Sequence, residues 1–133
     1  DYGCGAGNVG IMFAQMGFDV EMLEVEGEIT RFLEWRVKRH FLDIPILNEE
    51  SELKTYDLVV LFNVLEHLME PKKVLERITN SLVQGGYFTL LFNTHEEGLD
   101  IVKRETWNRE LKPYLLSNFD VVSNTDDMVY KKR

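Results

Sequence analysis

A chain of 133 residues is long enough for one domain with a real core, at the short end for a doubly wound α/β fold. Its 44% hydrophobic and 29% charged residues are those of a globular protein, and no apolar run approaches the roughly 18 residues that span a bilayer. The formal charge of -8 disfavours a nucleic-acid partner, and the single cysteine, Cys4, excludes an intrachain disulfide and a cysteine-rich metal site. A reducing cytoplasm is the default location, with no membrane association.

The chain opens on Asp1-Tyr2-Gly3-Cys4-Gly5-Ala6-Gly7-Asn8, an acidic strand end running into a glycine-rich turn. Alternate glycines let a backbone bend sharply and approach a ligand closely. Asn8 to Met16, with Val9, Ile11, Met12, Phe13 and Met16 apolar, reads as the first helix, stopped by Gly17. Its start offers unpaired N–H groups and a partial positive charge to the turn. A buried strand of about five apolar residues should precede such a turn. The chain instead begins on the acid at that strand's end, so the first strand is expected to be largely missing and the chain truncated at its N-terminus.

Val20 to Leu23 reads as a short strand ending at Glu24. A carboxylate there, about twenty residues beyond the turn, suits the two hydroxyls of a ribose; Glu26 is its competitor. Glu28 to Phe41 follows as a second helix, with Ile29, Phe32, Leu33, Val37 and Phe41 along one side and Trp35 covering the sheet edge. The basic cluster Arg36, Lys38, Arg39 and His40 reads as a cationic last turn complementing the helix dipole. Asp43 to Leu47 is a short third strand, placed at an edge by Pro45.

Tyr56 to Phe62 (YDLVVLF) is the clearest strand, apolar enough for burial on both faces, and it opens into Asn63-Val64-Leu65-Glu66-His67-Leu68. A helix from Pro71 to about Leu82 places Val74, Leu75, Ile78 and Leu82 inward, and after Gly85-Gly86 a strand runs from Tyr87 to Phe92. Asn93 to Thr106 loses the pattern and reads as a loop placed to cover a substrate. Trp107 to Ser117 is helical but broken by Pro113, and Phe119 to Ser123 and Met128 to Lys132 form a closing hairpin around Asn124-Thr125-Asp126-Asp127.

Asp1-x-Gly3-x-Gly5-x-Gly7 together with Val64-Leu65-Glu66-His67-Leu68 resembles the first motif and the post-fourth-strand motif of class I S-adenosylmethionine-dependent methyltransferases. Leu82-Val83-Gln84-Gly85-Gly86-Tyr87 is similar to the same family's glycine-glycine turn, and the resemblance runs from the first motif to the terminus. It implies a Rossmann-like α/β fold of the seven-strand type: a mostly parallel sheet, helices on both faces, and a C-terminal antiparallel hairpin whose last strand inserts between the fifth and sixth. It implies one S-adenosylmethionine-binding domain over residues 1–133 and methyl transfer to an acceptor, which the charge argument makes a small molecule. Cofactor contacts fall on Asp1, Gly3, Cys4, Gly5, Gly7, Glu24, Val25, Asn48, Asn63 and Val64. His67 and His95 are the candidates for proton transfer from the acceptor. The related Glu-x-x-Glu-His metal cluster appears here as Asn63-x-x-Glu66-His67, one carboxylate short, so no metal is predicted.

Two rivals remain. Gly5-Ala6-Gly7-Asn8-Val9-Gly10 also satisfies the dinucleotide fingerprint of an NAD-dependent oxidoreductase, although Asp1 suits a cationic ligand and would repel a pyrophosphate. A truncated, non-catalytic nucleotide-binding fragment is the other, and edges left by a missing strand point to a homodimer.

Overall fold

The computed structural model describes residues 1–92, 101–124 and 128–133. They form two compact units, Asp1–Glu52 and Leu53–Arg133.

In the first unit everything is arranged about β1 (Met22–Leu23), whose two residues are buried. One edge of β1 pairs in parallel with the opening residues: Tyr2 bridges Leu23, Leu23 N–H donates to the Asp1 carbonyl at 2.9 Å, and Gly3 N–H donates to the Leu23 carbonyl at 2.8 Å. The other edge pairs in parallel with β2 (Ile46–Leu47), Met22 opposite Ile46. Pro45 costs this pairing nothing, because it takes part through its carbonyl, which accepts from Met22 N–H at 3.0 Å. Helix α1 (Asn8–Gln15) ends where Gly17 takes φ 91°, its N–H bonding the Ala14 carbonyl while Phe18 N–H bonds that of Phe13.

Helix α2 (Glu28–Arg39) contributes Leu33 and Val37 to a core completed by Ile11, Met22 and Ile44. The stripe is narrower than its sequence suggests. Leu33 and Val37, four apart, share the inward face, whereas Phe32 falls on the flank and stacks on Trp35 with ring centroids 5.7 Å apart. Trp35 therefore lies on the helix surface, with the Arg39 guanidinium over its ring, and does not cover a sheet edge. Ile29, in the first turn, is also exposed, and so is Phe41, a residue 97% exposed that follows the helix at φ 56°. Along α1, Met12 and Met16 likewise face outward while Ile11 is buried.

The second unit is a four-stranded sheet in the order β3-β4-β6-β5. β3 (Tyr56–Phe62) and β4 (Leu82–Leu91) are parallel, linked through a 3-10 turn (Leu65–His67) and helix α3 (Pro71–Ser81). β6 (Met128–Lys132) lies between β4 and β5 (Phe119–Asn124), antiparallel to both, as the hairpin reading requires. β4 starts five residues earlier than the Tyr87 expected. Its Gly85-Gly86 pair sits inside the strand, where the pairing jumps from Tyr56 opposite Leu82 to Leu58 opposite Tyr87 and Gly85 takes φ 75°. Glycine allows that bulge without ending the strand.

Pro113 does not break its helix either. α4 (Arg104–Thr106), a π-helical stretch Trp107–Leu111 and α5 (Lys112–Asn118) follow without interruption, with the proline in the first turn of α5. The wider π turn before it accommodates a residue that lacks an N–H and crowds the carbonyl four positions back. The core here joins Phe88, Phe119 and Tyr130, centroids 5.9 to 6.1 Å apart, with Leu75, Ile78, Leu90, Leu111 and Leu115. Burial pushes the Tyr130 hydroxyl up to about 12.

Lys132 ties the last strand to α3. Its Nζ donates to the carbonyls of Thr79 and Leu82, both at 2.7 Å, supplying charge-assisted partners where the helix runs out of its own. Lys132→Met is expected to lower unfolding stability by about 1 to 3 kcal/mol, the range for hydrogen bonds to a charged group. A denaturant midpoint equal to wild type would refute that role.

Candidate functional site

The glycine turn is held from three sides. The Leu23 carbonyl accepts the N–H groups of Gly3 (2.8 Å) and Cys4 (3.1 Å), and the Cys4 carbonyl accepts that of Gly7 at 2.8 Å, folding the turn on itself. Gly5 and Gly7 sit at φ 54° and 75°, a region costly for residues bearing a β-carbon. Their surroundings differ. A β-carbon on Gly7 would collide with Leu33 Cδ1, so Gly7 lets the turn close onto α2, whereas Gly5 has no atom within 4 Å of that position and presents an open face.

Two carboxylates converge on this turn. Glu24, directly after β1, accepts the Gly5 N–H on Oε2 at 2.6 Å and the Val25 N–H on Oε1 at 2.9 Å. Asp1 Oδ2 accepts the Gly10 N–H at 2.9 Å, a carboxylate on the positive end of α1. Asp1 thus has a structural partner in addition to the cation-facing role read from its position. Gly10 in turn packs against β1: a β-carbon there would lie 2.5 Å from Met22 Sδ.

The third hold is a cation that sequence analysis treated as a helix-dipole complement. Arg36 Nη1 leaves α2 and donates to the Ala6 carbonyl and to Asn8 Oδ1, the latter at 2.6 Å. The signal that could have marked it is its place on the flank next to Leu33 and Val37, which pack beneath the turn.

Beside Glu24 lies a cavity of about 360 Å³, lined by Glu24, Glu26, Gly27, Thr30, Ile46, Leu47, Asn48 and Ser51 among others. Two predicted residues, Glu24 and Asn48, therefore share one wall, with Ile46 and Leu47 supplying apolar surface between polar groups. Asn48 is fixed by its own loop: its Oδ1 accepts from Ser51 Oγ at 2.9 Å and from Glu50 N–H at 3.1 Å. Val25 is exposed, and Cys4 packs its side chain on the core of this unit. Burial, and then the nearby Glu24 carboxylate, push the Cys4 thiol up to about 11, so it is neutral and unreactive at physiological pH.

Asn63, Val64 and His67 belong to the second unit. Asn63 ends β3 in the left-handed region at φ 52°, its N–H donating to the Leu91 carbonyl at 3.0 Å; asparagine is among the few non-glycine residues that adopt it readily. His67 is exposed on the 3-10 turn, and His95 lies outside the described residues. Glu66, read from the sequence as facing the pocket or capping the next turn, is buried on the 3-10 turn. It is 3% exposed, its carbonyl accepts the N–H groups of Ile101 (2.8 Å) and Val102 (3.0 Å), and its Oε2 has no hydrogen-bond partner among the described residues. A buried carboxylate oxygen left unpaired carries a desolvation cost that a purely structural residue would not be expected to bear.

Residues 1–88 match the family model described as "Methyltransferase domain". The chain belongs to this family, of the class I S-adenosylmethionine-dependent type. No curated protein matches it. Solved structures share its fold at low identity. The PH0226 protein from Pyrococcus horikoshii OT3 superimposes with TM-score 0.74 at 17% identity, over 100% of this chain and 80% of that one. TehB from Haemophilus influenzae gives 0.79 at 18%, over 98% of this chain and 56% of its own, so the chain spans little more than half of TehB. The N-methyltransferase NodS from Bradyrhizobium japonicum WM9, in complex with S-adenosyl-L-homocysteine, gives 0.67 at 15%, over 98% and 75%. The α/β Rossmann-like methyltransferase fold is thereby established, and nothing in these matches supports the oxidoreductase alternative.

Two measurements follow from the geometry. Iodoacetamide should alkylate Cys4 about a hundredfold more slowly at pH 8 than a thiol of ordinary pKa, the rate climbing until the pH passes about 11. Glu66→Leu should raise thermal stability by about 1 to 3 kcal/mol, because it replaces, at similar volume, a buried oxygen, Oε2, that is unsatisfied among the described residues. A fall in Tm would show that the carboxylate has a structural partner.

Proposed function

We propose that residues 1–133 act as one S-adenosylmethionine-binding domain that transfers the methyl group to a small-molecule acceptor. The observation that carries this reading is the Glu24 carboxylate, set between the open face of Gly5 and a cavity of about 360 Å³. The residues fit the cofactor. Glu24 is an acceptor suited to ribose hydroxyls, the Ile46 and Leu47 wall with the Asn48 amide suits an adenine ring, and Gly5 leaves room for close approach of the aminoacyl part. Glu24 outranks Glu26, since its carboxylate touches the turn as well as the cavity.

Bound there, S-adenosylmethionine supplies an electrophilic methyl on a sulfonium, already a good leaving system, so the protein's tasks are alignment and desolvation. Asp1, Gly3, Cys4, Gly5 and Gly7 form the turn against which the cofactor lies, Glu24 and Val25 hold its ribose side, and Asn48 its base. Asn63 and Val64, at the end of β3, are assigned to its ammonium group. His67, exposed on the 3-10 turn, is assigned to take a proton from an acceptor hydroxyl or amine, and His95, outside the described residues, shares that assignment. The charge of -8 supports a small acceptor over nucleic acid. Among the described residues no helix is long and apolar enough to cross a membrane.

Calorimetric titration with S-adenosylhomocysteine, with NADH as control, tests the reading. Micromolar binding of the first alone is expected, and Glu24→Ala should weaken it at least about tenfold, as loss of charge-assisted hydrogen bonds does. Binding of NADH alone, or of neither, would overturn it.

A further inference from the structure

We infer that Arg36 is a positioning residue for the glycine turn, setting cofactor affinity from behind the site. This rests on the S-adenosylmethionine reading above. A turn with Gly5 and Gly7 at positive φ is intrinsically loose, and ordering it on binding costs conformational entropy. A protein that fixes it beforehand binds more tightly. Asp1 holds Gly10 and Glu24 holds Gly5, but neither holds the exit of the turn, Ala6 to Asn8, where it enters α1. Arg36 does: one guanidinium nitrogen donates both to the Ala6 carbonyl and to Asn8 Oδ1, joining α2 to the turn and to the first residue of α1. The two acceptors lie on either side of Gly7, whose missing β-carbon lets α2 come this close through Leu33. The Ala6 carbonyl is thereby directed at α2, and the Ala6–Gly7 peptide is fixed in orientation. A guanidinium suits the task, since its planar fork loses less freedom per hydrogen bond than a lysine ammonium.

Arg36→Met should raise the dissociation constant for S-adenosylhomocysteine about tenfold. It should also speed amide exchange at Gly5 and Gly7, whose N–H groups are bonded to Glu24 and to the Cys4 carbonyl and exchange only when the turn opens. Exchange at Leu33 and Val37, within α2, should stay as in wild type. Arg36→Lys should recover part of both effects through the Ala6 carbonyl. Asn8→Ala, at an exposed position, should weaken binding about threefold in the wild-type background and add nothing in Arg36→Met, because the pair acts as one unit. Wild-type affinity and wild-type turn exchange in Arg36→Met would overturn the inference. So would an exchange increase spread evenly through α2, which would make Arg36 a packing residue; if that variant does not fold, Asn8→Ala decides by the same two readouts. If wild-type protein binds no S-adenosylhomocysteine, the methyltransferase reading fails on its own, and turn exchange alone still decides for or against Arg36.

Discussion

The Glu24 carboxylate is the contact on which the rest of the first unit depends. It lies at the end of a two-residue strand, and its two oxygens receive the N–H groups of Gly5 and Val25, one from the turn and one from the chain leaving β1. Charge-assisted bonds of this kind are stronger than neutral ones, which matters for a segment that glycine makes loose. With the turn tied at Gly5 to the end of β1, the parallel pairing of the opening residues with Leu23 and the packing of α1 onto Met22 lie on either side of one anchored segment. The same carboxylate also borders the cavity, so one side chain both stabilises the turn and faces any ligand beside it.

Charge balance around the turn is local and unlike that of the chain. The whole protein carries -8, yet Asp1 and Glu24 are here met by backbone N–H groups, while Arg36 brings a cation to the Ala6 carbonyl. The Asp1 carboxylate at the positive end of α1 and the Arg36 cation on the Ala6 carbonyl each satisfy a polar group that the turn leaves open. The second unit solves a similar problem at the opposite helix end: Lys132 closes the carbonyls of Thr79 and Leu82 and so fastens β6, the antiparallel strand, to α3. Glu66 stands apart, with a buried carboxylate oxygen that has no such partner among the described residues.

Much was legible in the residues. Period and punctuation sufficed for α1, β3 and α3, because a Pro71 start, a Gly17 stop and a continuous YDLVVLF run each impose a local geometry whatever surrounds them. The acid after β1 was readable by its distance from the turn. The antiparallel place of the last strand came from family resemblance, and the strand order bears it out. Composition and charge, by contrast, spoke to class alone.

Tertiary structure decided what depends on contacts between distant residues. Whether Phe32, Trp35 and Phe41 are core cannot be read from helical spacing, since an amphipathic stripe has flanks and only the neighbouring strand settles its width. Gly85-Gly86 signals a turn locally, but pairing with β3 carries β4 through it as a bulge. Pro113 signals a break, and the π turn before it removes the clash. Arg36 is the clearest case: a basic residue in a last helical turn looks like any other until the fold brings Ala6 and Asn8, thirty and twenty-eight residues earlier, within reach of its guanidinium. Sequence by itself determined the turn, the elements and the family. Which side chains hold the turn was left to the fold, because hydrogen bonds across that separation are a property of packing and not of pattern.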